Sequence, residues 1–150
     1  MKTGSILMLF CFSMLGSAFR TDSIQKNTNS TDDFATVYIY RGGQFFGSAL
    51  NYAIFANEEM VCKLSNNRYI EYKAKPGKLS LTAHRGGVEL FKKETGLDLN
   101  VEAGKKYYVK GDQKSSITRT RLELSEVTEN TANRDMKDMT VDACQEASKK

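Results

Sequence analysis

The chain predicts a mainly β protein, an immunoglobulin-like or transthyretin-like antiparallel β-sandwich of about seven to eight strands with a short C-terminal helix. Short segments alternate apolar and polar residues with the two-residue period of a strand. Turn signals built from Gly, Pro and Asn recur about every ten residues, the spacing of an all-β sandwich. Tyr and Phe supply the large apolar groups in a chain with no Trp and one Pro, and both are strand-favouring residues.

The elements follow in order. Ala35 to Arg41 (ATVYIYR) is β-branched and aromatic and is closed by Gly42-Gly43. Asn51 to Ala56 and Met60 to Leu64 flank Asn57-Glu58-Glu59, which reads as a hairpin. After Ser65-Asn66-Asn67, Arg68 to Ala74 forms a strand that stops before Pro76-Gly77. Lys78 to Ala83 alternates Leu79, Leu81 and Ala83 with Ser80 and Thr82, and Gly86-Gly87 breaks it. Val88 to Phe91 and Leu97 to Glu102 belong to one or two further strands. In the second, Leu97, Leu99 and Val101 alternate with Asp98, Asn100 and Glu102, so one face lies in a core and one in water. Ala103-Gly104-Lys105 turns the chain into Lys106 to Lys110 (KYYVK), and Thr118 to Val127 is the last strand. Thr128 then caps a short helix with Glu129 in its first turn, and Met136 and Met139 dock it on the sandwich edge. The expected core is Val37, Ile39, Ile70, Tyr72, Leu79, Leu81, Leu97, Leu99, Val101, Val109, Leu122 and Leu124.

What precedes the strands reads as an address rather than as fold. Lys2, the apolar run Ile6 to Leu15 and the small residues Gly16-Ser17-Ala18 form a signal-peptide pattern over residues 1–18, too short for a stable membrane span. Residues 19–33 are polar and aperiodic, a linker; 34–128 are the sandwich domain, and 129–150 a short helix and frayed tail. The expected location is therefore outside the cytoplasm, periplasmic or extracellular. Lipid attachment needs a Cys directly after a small residue at the end of the apolar run, whereas Cys11 sits mid-run after Phe10. Without the leader, Cys62 and Cys144 remain. In an oxidising compartment they can bridge, or they can stay separate thiols, and the sequence leaves both open.

Little in the sequence points to catalysis or to a cofactor. With 40% apolar and 27% charged residues the chain can fold around a core, and its net charge of +4 is spread among acidic residues rather than gathered in a basic stripe, which argues against nucleic acid. His84 is the single histidine and sits beside Arg85-Gly86-Gly87, where a solvent-facing imidazole is ordinary. The lone cysteines lack metal-ligand spacing, so no metal site is expected. Glu58-Glu59 and Asp32-Asp33 are neighbours on turn or linker, which point apart and make no acid–base pair. None of the glycine turns opens a phosphate-binding helix. The remaining candidates are aromatic. Phe45 and Phe46 lie in a loop between glycines, strand alternation turns one of Tyr107 and Tyr108 outward, and Arg41 and Lys106 stand close in sequence. Phe45, Phe46, Tyr108 and Arg41 are the candidate ligand contacts, suited to a sugar or a partner protein. The competing reading is that they cover the open end of the sandwich.

The order of short motifs is also distinctive. Tyr40-Arg41 ends the first strand, and Leu64, Asn67 and Tyr69 follow the hairpin. Pro76-Gly77-Lys78 makes the next turn, and Glu102-Ala103-Gly104-Lys105 leads to Tyr107-Tyr108. In these features the stretch from Ala35 to Val127 resembles the bacterial domain-of-unknown-function family 2846. The resemblance implies an envelope-associated β-sandwich, similar to small regulatory-type domains of exported proteins, with no known activity and no catalytic residues to transfer. Many such relatives look like lipoproteins, and Cys11 departs from that pattern. The expectation is a non-enzymatic, exported interaction or structural module that meets an envelope protein or a glycan, the glycan or peptidoglycan alternative using the exposed aromatics.

Overall fold

The computed structural model describes residues 33–85, 96–117 and 120–144. The predicted leader over 1–18, the linker over 19–33 apart from Asp33, the Val88–Phe91 segment, Thr118 and the tail after Cys144 lie outside the described residues.

Among the described residues nine strands form two layers, with one helix outside them: β1 Ala35–Arg41, β2 Tyr52–Ala56, β3 Glu59–Leu64, β4 Arg68–Ala74, β5 Gly77–Arg85, β6 Leu97–Val101, β7 Lys106–Ser115, β8 Thr120–Val127, α1 Glu129–Asp135 and β9 Thr140–Val141. One sheet has the order β8-β7-β1-β4-β9 and the other β3-β2-β5-β6. The two-sheet sandwich with a short C-terminal helix is the predicted fold. Two pairings depart from the antiparallel pattern of the rest: β1 runs parallel to β7, and β4 parallel to β9. Between β1 and β7 the chain builds the entire second sheet, and a long excursion of that kind lets a strand return in the same direction.

Alternation decides which side chains meet between the sheets. Val37, Ile39, Ile70, Val109, Leu122 and Leu124 face Ile54, Leu64, Leu79, Leu81, Leu99 and Val101 in one cluster. Ten of the twelve expected core residues are buried, while Tyr72 and Leu97 are only partly so and pack at its margin. Tyr40, Tyr52, Ile54 and Leu64 are core members that the period alone missed.

Local chemistry explains the turns. The β2–β3 hairpin turns on Asn57 and Glu58, both at positive φ (49° and 70°), as a two-residue turn between twisted strands requires. Asn57 docks this turn on β5: its N–H donates to the Ser80 carbonyl at 2.8 Å and its Oδ1 accepts from the Ser80 N–H at 2.9 Å. Gly111 marks a close approach, since a Cβ there would sit 2.8 Å from Leu122 Cδ2.

Residues 128–144 pack on the sandwich. The Thr128 side chain caps α1 by accepting from the Thr131 N–H at 3.4 Å. The helix lies over the outer face of the five-stranded sheet, not its edge, with Ala132, Met136 and Met139 against Tyr40 and Tyr108. Beyond it, β9 pairs with β4, and the Asp142 N–H donates to the Tyr69 carbonyl at 2.9 Å. Cys144 then forms a disulfide with Cys62 on β3, with a Cα–Cα distance of 5.8 Å, so the segment is bound to both sheets.

Candidate functional site

Two aromatic assemblies stand on the sandwich, and they differ in exposure. The first is the loop from Gly42 to Asn51, between β1 and β2. Phe45 is 88% and Phe46 84% exposed, with their rings edge to face at 5.4 Å. Such exposure of two adjacent phenyl rings is held against water by the backbone beneath them, not by packing of the rings.

That backbone is fastened by Arg41. The last residue of β1 is fully buried, and its guanidinium enters the loop. Nη1 donates to the Leu50 carbonyl, and Nη2 donates to the Gly47 carbonyl at 2.9 Å and to Gln113 Oε1 at 2.8 Å. The cation also lies over the Tyr52 ring, 5.0 Å from its centroid. Gln113 completes the clamp: its Nε2 donates to the Phe46 carbonyl at 3.1 Å and its Oε1 accepts from the Tyr52 hydroxyl at 3.2 Å. Gly47 sits at φ +75°, and a Cβ there would fall 2.5 Å from Gln113 Nε2, so the loop needs glycine at this point. On the other flank the Gln44 N–H donates to Asn66 Oδ1 at 3.0 Å, and Asn66 Nδ2 donates back to the Gln44 carbonyl at 3.1 Å.

Arg41, one of the candidate ligand contacts, is thus buried beneath the loop. Burial pushes its guanidinium below the usual arginine range, opposed by the neighbouring Tyr52. Its Nε is a buried donor with no partner among the described residues. The planar fork serves a loop rather than a ligand, because carbonyls spaced along a turn satisfy several of its donors together.

Beside Phe46 lies a groove of about 560 Å³, bordered by Leu50, Arg85, Gln113, Ser115 and Thr120. It opens between this loop and the β7–β8 hairpin.

The second assembly is the tyrosine face of the five-stranded sheet. Tyr38 stacks on Tyr108 with centroids 5.3 Å apart, and Tyr69 stands 6.4 Å from Tyr38. The Tyr40 hydroxyl donates to Asp135 Oδ2 at 3.1 Å, and the Tyr108 hydroxyl donates to Glu129 Oε1 at 2.8 Å. Both carboxylates come from α1. Burial, then the bond to Glu129, pushes the Tyr108 phenol up to about 12, and burial with the Asp135 charge raises that of Tyr40. Burial alone would lift the Asp135 carboxyl, yet hydrogen bonds from Lys110 and Tyr40 hold it below the ordinary range. Tyr108 does point away from the core, as alternation requires, but α1 covers that face and leaves it 8% exposed, so it is not a free contact surface. Tyr107 faces the other way, packs against the core and accepts from the Glu102 N–H at 3.0 Å. The four candidate contacts therefore separate: Phe45 and Phe46 together in the open, Arg41 beneath them, Tyr108 under the helix.

Two other groups were singled out by the sequence. His84 is partly buried on β5, edge-on to Phe55 at 5.0 Å and within 3.0 Å of Thr82 Oγ1, rather than free in solvent. Cys62, Cys144 and Asp142 bring three potential ligand atoms within 4.8 Å. With the sulfurs joined to each other neither is a thiolate, and Asp142 Oδ2 accepts from the Ser65 N–H at 2.7 Å. The arrangement is a staple, not a donor set for a metal. Among the described residues no helix is long and apolar enough to cross a membrane.

The fold and the aromatic loop define a small β-sandwich protein. The chain belongs to the family described as a protein of unknown function (DUF2846), whose model matches residues 31–123. The match ends within β8, so α1, β9 and Cys144 lie beyond it. None of the curated proteins matches this chain.

Proposed function

We propose that this protein is an exported, non-enzymatic interaction module of the cell envelope, and that it meets its partner through the Phe45–Phe46 loop. The observation that carries the reading is the exposure of these two rings, 88% and 84%, on a backbone clamped by a buried arginine. Ordering a loop costs conformational entropy, and a preformed loop has met that cost before a partner arrives. The non-enzymatic reading accords with the task of three groups whose titration is shifted. Tyr40, Tyr108 and Asp135 hold the helix to the sheet instead of facing a cleft. Export is supported by the leader pattern of residues 1–18 and by the Cys62–Cys144 bridge, which persists in an oxidising compartment.

The test is a photoreactive phenylalanine analogue placed at position 45 in cells, with exposed Glu123 on β8 as the control position. A discrete adduct from 45 and none from 123 is expected. Identical patterns from both positions would sink the reading.

The groove beside Phe46 favours a second reading, a carbohydrate- or peptidoglycan-binding domain. Its roughly 560 Å³ falls within the size of small-ligand clefts, and Ser115, Thr120 and Arg85 offer polar contacts around an aromatic face. Co-sedimentation with purified peptidoglycan, lost on Phe46→Ser, is its expected outcome. Equal sedimentation of the variant removes it.

A further inference from the structure

We propose that the loop end of the sandwich docks on an anionic lipid bilayer, with Phe45, Phe46 and Ile117 entering the apolar layer and basic residues meeting the headgroups. This deepens the interaction-module reading, and rests on it, by naming the partner.

Three observations converge. Among the described residues, Phe45, Phe46 and Ile117 are the most exposed of the large apolar side chains, at 88%, 84% and 106%. They share one end of the molecule. Because β7 runs parallel to β1, with Gly111 beside Arg41, both strands deliver their following loops to the same side. The bond from Gln113 to the Phe46 carbonyl joins the two loops at their base. The third observation is charge. Residues 42–51 (GGQFFGSALN) and 114–117 (KSSI) contain no carboxylate, and exposed Lys114 lies in the second stretch. Exposed Arg85 borders the groove between the loops. The opposite end mixes signs in ion pairs, Lys105 with Glu102 at 2.8 Å and Lys78 with Asp98 at 3.4 Å.

Phenyl and sec-butyl groups on separate loop tips, with a cationic surround, are what a bilayer interface accepts. Apolar groups sink to the acyl boundary while Lys and Arg stay with anionic headgroups. A protein partner must instead offer a pocket for each projecting ring. The clamp of Arg41 and Gln113 keeps the Phe45–Phe46 tip from folding back onto its own sheet.

The experiment is flotation of the full mature chain with vesicles of phosphatidylglycerol and phosphatidylcholine in equal parts, against vesicles of phosphatidylcholine alone. Binding to the anionic vesicles is expected, weakened by salt and by the neutral composition. Replacing both rings (Phe45→Ser with Phe46→Ser) lowers that affinity by about a hundredfold, and Ile117→Ser by about tenfold, taking burial of one large apolar side chain as worth about a factor of ten. Lys114→Gln lowers it about fivefold, with thermal unfolding unchanged in every variant. No vesicle binding by the unaltered chain, or equal binding after the serine substitutions, overturns the inference. A protein or glycan adduct from position 45 without vesicle binding overturns it too and leaves the interaction-module reading standing. Loss of both adduct and vesicle binding removes the two together.

Discussion

The tyrosine face and the phenylalanine loop are both aromatic clusters, yet one is closed and the other open. On the five-stranded sheet, Tyr40 and Tyr108 extend hydroxyls to Asp135 and Glu129, and α1 lies down over the rings. At the loop end, Phe45 and Phe46 have no polar atom to offer a cover, and the described structure leaves them in solvent. A tyrosine can be buried and satisfied at once, because its ring packs while its hydroxyl bonds to a helix carboxylate. Aromatic content by itself therefore does not mark a contact surface. What marks one is an apolar group held rigidly where its own chain does not cover it.

The comparison can be tested from its largest consequence downward. The closed region depends on the staple that ends it. Cys62 and Cys144 are separated by 82 residues. Breaking their bridge with reductant, or by Cys144→Ser, is expected to destabilise the domain by about 4 kcal/mol on the loop-entropy account. Limited proteolysis then cuts first in the segment carrying α1 and β9. An unfolding midpoint indifferent to reductant breaks this part of the comparison.

The open region depends on Arg41. Arg41→Ala leaves the Leu50 and Gly47 carbonyls and Gln113 without their shared donor and creates a void beside Tyr52. A loss of about 3 kcal/mol is expected in denaturant unfolding, with faster cleavage between Gly42 and Asn51. Arg41→Lys keeps the charge but not the fork, and still loosens the loop. Loop protection identical to that of the unaltered chain rules out the clamp.

The hydroxyl bonds come next. Tyr108→Phe and Tyr40→Phe each cost about 1 kcal/mol, the usual net worth of a hydrogen bond. Their pH dependence has a definite sign. The Tyr108 phenol titrates near 10.0 when unfolded and at about 12 in the fold, so its stabilisation is complete below 10.0 and is lost as pH rises toward 12. Alkaline unfolding followed by tyrosinate absorbance is expected to flatten in that window for Tyr108→Phe. A variant with the same alkaline slope argues that the Glu129 bond does not form.

The smallest effect is the most telling for function. Phe45→Ser and Phe46→Ser, alone or together, are expected to move stability by no more than about 0.5 kcal/mol, as exposed substitutions do. A larger loss means the rings are packed after all, and the contrast with the tyrosine face fails.

Much of this molecule was legible along the chain. Ala35–Arg41 and Arg68–Ala74 have the bounds that β-branched and aromatic runs and their flanking turns predicted. Thr128 and Glu129 announced the helix start. Glu59 was read into a turn and instead begins β3, because two left-handed residues suffice to reverse the hairpin. Strand β7 was expected to stop at Lys110 and continues to Ser115, since Gly111, Asp112 and Gln113 break the apolar pattern while β8 still pairs with them. Gln113 was thus missed as half of the clamp. Gln113 pairs only with Leu122 of β8, beyond the end of β1, and that position beside the loop appears only after the pairing is known.

What the sequence determined by itself is local: which segments are strands, which residues of each strand share a face, where most turns fall, and that an apolar segment precedes a polar one. These follow from side-chain period, propensity and turn chemistry, which act over a few residues. Only the tertiary structure decided that β1 lies parallel to β7, that Cys144 reaches Cys62, that α1 covers Tyr108 and that Arg41 points into its own loop. Each joins residues far apart in the chain or sets what occupies the space on one side of a strand. Period reports which side a residue faces, and the packing of distant segments decides what waits there.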